Sequence, residues 1–356
     1  MLLSFFLVHG VAAQIAESLV LSGQTAPGTA RTFDTFVQPW QDENGMTIFV
    51  GVLSDGSSGV WYHDDGAVVE VARSGQAIAG GITPSSFLII GIENGTFAFF
   101  ASSDDGNALM VGDRTCTSAV AYAGLAAPGT GNLLFNTLNV SQAAFAFNNG
   151  DIAFTALAVS EDRSEAQNGV WIAQGGGSPS LIALSDADQF DDIDEWPEVP
   201  GVVFEFVGIR LSEAGETNFI ARATKPVRQY IFKSAGSGRT LLSLSDPWNP
   251  DQLALAEDGR LAVAANAELD QAIFIESAAG SGTFETVITS GELPTDAQGN
   301  PLATDPWNTL GDRGLGFDAS GQLYIHGKLA NPNPLGGVWV RRLDGTVALE
   351  LAGGFD

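Results

Sequence analysis

The sequence predicts an all-β protein, a β-propeller most simply built of six four-stranded blades. Three observations indicate this class: one strand pattern recurs six times, Gly-containing turns separate the strands, and the chain contains 43 glycines, which suits many turns. The 356 residues are 45% hydrophobic, which is enough apolar surface for one large all-β domain or two smaller domains. We therefore predict a single propeller domain over residues 14–356.

The recurring pattern is a turn that ends in Gly, followed by a hydrophobic residue four positions later and a small residue six positions later. Because side chains alternate along a strand, these even offsets place both residues on one face. In three copies an Asn precedes the Gly, a pair that two-residue β-hairpin turns favour. The six turn glycines are Gly45, Gly95, Gly150, Gly215, Gly259 and Gly321.

One strand precedes each of these turns and three follow it, so that each repeat contains four strands. In three repeats the second strand after the turn contains Gly-Val-Trp, at residues 59–61, 169–171 and 337–339. Four-stranded units of about 45 to 60 residues, repeated along a chain, are typical of propeller blades. Residues 17–21 add a further repeat-ending strand, so we expect a terminal strand to help close the ring. A ring of seven blades with one eroded blade is the alternative.

A Gly- and Pro-rich octet separates repeats at two places, Ser22–Thr29 (SGQTAPGT) and Ala123–Thr130 (AGLAAPGT). Their Pro-Gly pairs fit the two central positions of a type II turn. Neither octet is followed by a helical pattern or a Lys, which excludes a phosphate-binding loop. Together with the Asn-Gly turns and the Gly-Val-Trp strands, this punctuation resembles uncharacterised secreted bacterial repeat proteins with GQxAPG punctuation. The resemblance implies a β-propeller-like fold and export, and it implies no activity.

Composition excludes several classes of partner. The chain carries 42 acidic and 15 basic residues, a formal charge of −27, so its surface repels nucleic acid and anionic lipid. Apart from the N-terminus there is no long apolar run, and we predict no membrane span. The single cysteine, Cys116, excludes a disulfide framework. We expect a monomer.

The N-terminus has the features of a secretory signal peptide. Leu2–Val8 is apolar, and Val11-Ala12-Ala13 offers small residues for cleavage before Gln14. We therefore predict a signal peptide over residues 1–13 and a secreted or periplasmic protein. The alternative interpretation of this segment is a buried first strand.

An acidic connector is the one candidate metal site. Residues 186–198 hold seven acids and no Lys or Arg, and closely spaced carboxylates suit Ca²⁺. The spacing differs from that of an EF-hand, and the alternative is a solvated loop. The candidate Ca²⁺ ligands are Asp186, Asp188, Asp191, Asp192 and Asp194.

Three connector tryptophans, Trp196, Trp248 and Trp307, are candidate ligand-binding residues. Asp-Pro-Trp-Asn occurs twice, at residues 246–249 and 305–308. Exposed tryptophans could stack on the sugar rings of a glycan. In the alternative interpretation each ring fills the gap between adjacent blades, because Trp is usually highly buried.

The histidines do not predict a catalytic set. The three of them, His9, His63 and His326, are separated in the predicted arrangement, so neither a Ser/His/Asp set nor a multi-histidine metal site follows. We predict a non-catalytic binding or scaffold module of the cell envelope or extracellular space, with an unknown protein or glycan as partner. The alternative is a carboxylate-based propeller hydrolase or lyase, with or without a requirement for Ca²⁺. A channel lined by apolar or singly placed polar groups favours binding, whereas convergent Asp, Glu and Arg residues favour the enzyme.

Overall fold

The protein is an all-β propeller of six blades, as the sequence predicts. The computed structural model describes residues 20–353 except for residues 105, 139–143, 186–201, 225–226, 236–237, 243, 245–246, 269, 295–300, 302–305 and 331–335. The predicted signal peptide, residues 1–13, lies outside the described residues. In the described part of the chain the strands form six antiparallel sheets, which follow one another along the sequence. No helix there is long and apolar enough to cross a membrane.

In five of the six sheets the strands pair in chain order, so that these blades are antiparallel meanders. The first three blades contain the strands β1 (Phe33–Gln41), β2 (Thr47–Leu53), β3 (Ser58–Asp64) and β4 (Ala67–Arg73) in blade 1; β5 (Ser86–Glu93), β6 (Thr96–Ser103), β7 (Gly106–Gly112) and β8 (Thr117–Tyr122) in blade 2; and β9 (Leu134–Leu138), β10 (Phe145–Asn148), β11 (Asp151–Val159), β12 (Ala166–Ala173) and β13 (Ser180–Leu184) in blade 3. In blade 3 both β9 and β10 pair with β11.

The last three blades follow the same plan with four strands each. They contain the strands β14 (Val202–Leu211), β15 (Thr217–Thr224), β16 (Arg228–Ala235) and β17 (Gly238–Leu242) in blade 4; β18 (Asn249–Leu255), β19 (Leu261–Ala267), β20 (Asp270–Glu276) and β21 (Phe284–Thr289) in blade 5; and β22 (Trp307–Phe317), β23 (Leu323–Leu329), β24 (Gly336–Arg341) and β25 (Val347–Gly353) in blade 6.

The predicted hairpin turns are of two kinds. At Asn94-Gly95 and Asn149-Gly150 both residues have positive φ, as a two-residue type I′ turn requires. At Gly45 only the glycine has positive φ, and the loop is wider, with the N–H of Asp42 donating to the carbonyl of Met46. An Asn or Asp before the glycine therefore predicts the place of a hairpin but not the length of its loop.

The two octets form Pro-Gly turns that are fastened to the following blade. Each turn glycine has positive φ, +77° in the first octet and +80° in the second, as a type II turn requires. The indole N–H of Trp61 donates to the carbonyl of Pro27 at 3.3 Å, and that of Trp171 to Pro128 at 3.0 Å. Each octet thus attaches the segment before a blade to the Trp of the Gly-Val-Trp strand in that blade.

Neighbouring blades pack face to face. In the described residues, five apolar cores join consecutive blades, from the core between blades 1 and 2 to the core between blades 5 and 6. A sixth core covers the other face of blade 1, where Val20 and Ala26 pack with Phe33, Phe49 and Trp61. Burying each large side chain contributes roughly 1.5–3 kcal/mol, so the stability of the fold lies in these layers.

We predict that Gly59→Ala destabilises the protein. A Cβ on Gly59 would lie 2.6 Å both from the carbonyl oxygen of Ala72 and from the ring of Trp61, which is fully buried and cannot move away. The expected cost is about 1–3 kcal/mol of unfolding free energy, measured by urea denaturation.

Gly316→Ala is the matched control, because Gly316 also lies in a strand and a Cβ there would meet no atom within 4 Å. Its stability is expected to be unchanged or slightly raised. Equal losses in the two variants would contradict the packing argument.

We predict that acid destabilises the protein through its Asp-x-Ser/Thr turns. In these turns a Ser or Thr hydroxyl and backbone N–H groups donate to the carboxylate and lower its pKa below 3.8, to about 2 for Asp162. A depressed folded-state pKa contributes stability above the unfolded pKa, and this stability is lost as pH falls through the folded pKa. The five aspartates are Asp55, Asp113, Asp162, Asp318 and Asp344.

Thermal midpoints measured from pH 5 to pH 2 are therefore expected to fall most steeply below about pH 4. Asp162→Asn keeps an accepting oxygen next to Ser164 but cannot titrate, so its midpoint should fall less over this range. An unchanged pH dependence in Asp162→Asn would argue against a contribution from this turn.

Candidate functional site

The first strands of the blades surround the propeller axis. In the described residues β1 contacts β5, β5 contacts β10, β10 contacts β14, β14 contacts β18, and β18 contacts β22. Five of these strands contain a β-bulge, in which extra residues on one strand lie opposite its partner and interrupt the hydrogen-bond ladder. At a bulge the side chains no longer alternate regularly between the two faces of the sheet. The register shifts between Val37 and Trp40, Ile89 and Gly91, Val207 and Arg210, Pro250 and Gln252, and Leu310 and Leu315.

Residues of β1, β5, β10, β14 and β18, together with Arg222 of β15, line one cavity, which we call the axial cavity. Its volume is about 580 Å³, within the range of about 300–1,000 Å³ typical of small-molecule sites. Blades 1 to 5 all contribute lining residues, and most of the lining is apolar. The apolar lining includes Trp40, Leu88, Phe145, Phe147, Val207 and Leu253.

Hydrogen bonds between blades hold two of the bulges in place. A bulge releases backbone N–H groups from the sheet ladder, and each buried group then needs another partner. The side-chain carbonyl of Gln38 accepts from the N–H of Ile89 at 3.2 Å, and that of Gln271 accepts from the N–H of Leu310 at 2.8 Å. These two bonds join blade 1 to blade 2 and blade 5 to blade 6, and the first of them ends on Ile89 in the wall of the axial cavity.

The bulge in β14 places Arg210 at the axial cavity. Gly208 supplies the positive φ of +64° at the bulge, and Ile209 is fully buried. The Arg210 Nη1 donates at 2.7 Å to the carbonyl of Ile209, the residue directly before it. A guanidinium has five N–H donors, so this one bond leaves most of its hydrogen-bonding capacity available.

Arg210 has no ion pair among the described residues, and burial in this apolar setting lowers the pKa of its guanidinium. The second arginine of the cavity differs: Arg222 pairs with Glu205 at 2.9 Å and donates to Gln229 at 3.3 Å. Asp251, on the bulge of β18, is the one carboxylate among the described lining residues. The axial cavity therefore combines an apolar wall with one uncompensated cation, in a chain whose net charge is −27.

The predicted tryptophan sites have different outcomes. We predicted that Trp307 lies in a connector, and this is wrong. The residue begins β22, and its side chain is only 2% exposed. Its ring packs edge-on against Trp339, 4.6 Å away, as Phe33 packs against Trp61 in blade 1. The Trp307 prediction missed this because β22 begins earlier than the strand pattern indicated. The ring fills the core, which is the arrangement of the alternative interpretation.

Trp248 is half-buried and packs edge-on against Phe274, at 5.4 Å, in the core between blades 4 and 5. A ligand-binding role for Trp248 stays a prediction. Trp196 and the five predicted Ca²⁺ ligands between Asp186 and Asp194 lie outside the described residues. Within the described residues, no three His, Cys, Asp or Glu side chains are grouped so that they could hold a metal ion.

Sequence reasoning did not find Arg210 or Trp40. The signal that could have found Arg210 is a glycine inside the apolar strand of residues 202–211, because a glycine there marks a bulge. The Arg two positions after that glycine would then have been a candidate for the axis. Nothing in the sequence indicates that Trp40 reaches the same cavity from another blade.

Comparison with known proteins gives a partial match to one family model and a likeness of fold. Residues 8–107 match the model of a family of unknown function (DUF7453), and no curated protein matches the chain. A prolyl endopeptidase structure aligns with a TM-score of 0.52 at 12% identity, over 90% of this chain and 44% of that chain. At this identity the likeness shows the fold alone.

Two further structures align less closely. TolB from Acinetobacter baumannii has a TM-score of 0.41 at 11% identity, over 86% of this chain and 60% of that chain. Porphyromonas gingivalis dipeptidyl peptidase 4 has a TM-score of 0.48 at 11% identity, over 88% of this chain and 45% of that chain. The chain thus spans between 44% and 60% of the length of these three structures.

We predict that Gly208→Ala is more destabilising than Gly23→Ala. Both glycines have positive φ, +64° and +86°, so both substitutions carry the backbone cost of about 1 kcal/mol. At Gly208 the new Cβ would also lie 3.3 Å from Ile220, whereas at Gly23 it would meet no atom within 4 Å. Urea denaturation is expected to give the larger loss for Gly208→Ala. Equal losses would mean that the bulge of β14 is loosely packed.

Proposed function

We propose that the protein is a non-catalytic binding module and that its ligand, a small and largely apolar molecule, occupies the axial cavity. The observation that carries this proposal is the lining of the cavity: apolar side chains from five blades converge on one space of about 580 Å³. Sites of this kind bury most of an apolar ligand and use a few polar groups to orient it.

The number of carboxylates at the cavity favours binding over the alternative, a hydrolase or lyase. Glycoside hydrolysis by carboxylates uses a pair of them, one on each side of the reacting bond. Asp251 is the one carboxylate among the lining residues that the structure describes, and Arg210 and Arg222 are the lining cations. Arg222 is already paired with Glu205, so no second lining carboxylate stands opposite Asp251 among the described residues, which suits recognition of a ligand better than acid–base chemistry.

We further propose that this module works in the cell envelope or outside the cell, as a single domain over residues 14–356. The support is the signal-like sequence of residues 1–13 and the resemblance of the punctuation to secreted repeat proteins. The net charge of −27 favours a dissolved and monomeric state through mutual repulsion.

The axial cavity can be tested with N-phenyl-1-naphthylamine, a neutral dye whose fluorescence rises in apolar sites. We predict that the protein binds the dye and that Val207→Phe weakens binding by about tenfold or more, because the added ring occupies the cavity. Trp40, which lines the cavity and is 44% exposed, supplies a second signal through its own fluorescence.

Val227→Phe is the matched control, since Val227 is 84% exposed and does not line the cavity. It makes the same chemical change on the surface and should leave dye binding unchanged. Equal dye affinity in wild type, Val207→Phe and Val227→Phe would place the dye elsewhere and overturn the proposal.

A further inference from the structure

We propose that the ligand of the axial cavity carries one carboxylate group on an apolar body, and that Arg210 binds this carboxylate. The inference depends on the proposed function, since it names the chemical class of the ligand in the same cavity. It goes beyond that function because an apolar lining alone would suit a neutral molecule equally well.

The first support is the hydrogen-bonding state of Arg210. The guanidinium lines the cavity and donates one bond, to the carbonyl of Ile209. A carboxylate can accept two parallel N–H bonds from a guanidinium, a geometry that arginine offers and lysine does not. The donors of Arg210 that have no partner among the described residues are therefore of the right kind and number for one carboxylate.

The second support is the cost of this arrangement to the empty protein. A cation held in an apolar setting without a partner destabilises the folded chain, because it has lost water and gained little in return. Burial lowers the pKa of Arg210, which reflects the same cost. An anionic ligand would offset it on binding, whereas the core of the propeller gains nothing from the charge.

Charges around Arg210 favour a single negative charge over a phosphate. Arg222 is already paired with Glu205, and Asp251 adds a negative charge to the same cavity. Arg210 alone can neutralise one negative charge, so a doubly charged phosphate would keep an excess negative charge in a cavity that also contains Asp251. The apolar neighbours of Arg210 along the wall, Val207 and Leu253, supply the surface for the body of the ligand.

The test measures displacement of the neutral dye at pH 8 by three probes that share one chain: dodecanoate, dodecan-1-ol and dodecyl phosphate, each at monomeric concentrations. We expect dodecanoate to bind wild type most tightly. In Arg210→Met we expect dodecanoate to bind about 10- to 100-fold more weakly, the range for loss of charge-assisted hydrogen bonds. Dodecan-1-ol should bind both proteins alike.

Two control variants separate the local contact from general charge effects. Arg31→Met removes one positive charge from a surface ion pair with Asp55, neither of which lines the axial cavity, and should leave dodecanoate affinity unchanged. Arg210→Lys keeps the charge but loses the two-donor edge, so its dodecanoate affinity should be intermediate.

Each outcome decides a separate point. Equal affinities for dodecanoate in wild type and Arg210→Met, with the dye still bound, would overturn the carboxylate inference and leave the proposed function standing. Tighter binding of dodecyl phosphate than of dodecanoate would overturn the choice of a single charge. Binding of neither dye nor probes would overturn both proposals.

Thermal unfolding of Arg210→Met distinguishes a binding role from a structural one. If Arg210 serves a ligand, removing its unpaired charge should leave the midpoint equal to or above that of wild type. A large fall in the midpoint would mean that the bond from Arg210 to Ile209 holds the bulge, and the loss of dodecanoate binding would then be a folding effect.

Discussion

The sheets of blades 2 to 5 are apolar on both faces, and each of these faces is buried against a neighbouring blade. In blade 3, Phe154 and Trp171 face blade 2, whereas Ala153 and Val170 face blade 4. A four-stranded sheet with two such faces cannot stand alone in water, because exposing either face would cost several kcal/mol. Face-to-face packing of successive blades removes both faces from water. The radial array follows from this requirement, and the turns, glycines and connectors serve it.

The size of residues within each layer follows from the same packing. Phe33 in blade 1 and Trp307 in blade 6 lie directly over the small residue six positions after the turn glycine. A Cβ on Gly51 would lie 2.8 Å from Phe33, and one on Gly327 would lie 2.6 Å from Trp307. The recurrent small residue is therefore the space in which the aromatic ring of the first strand lies.

Packing of flat layers around an axis also creates the site. The first strands of consecutive blades contact one another near the axis, and β-bulges in five of them change the direction of side chains there. The side chains leave the axial cavity unfilled. In blade 4 the bulge turns Arg210 toward the cavity, where its charge has no described partner. A buried charge without an ion pair does not stabilise the core of the propeller, and this is our reason for proposing that Arg210 has a role in binding.

By itself the sequence indicated six four-stranded repeats, with a seven-bladed ring as the alternative, and it located hairpins and Pro-Gly turns, because these depend on short-range patterns of side-chain alternation and positive φ. It did not indicate the fifth strand of blade 3. It did not determine the place of Trp307, since the residue belongs to a strand by pairing with Leu329 of β23, and its ring then packs against Trp339 and Gly327. Nor did it reveal the axial cavity. Trp40, Phe147, Arg210 and Asp251 come from four different blades, and only the closure of long-range contacts between blades brings them to one space.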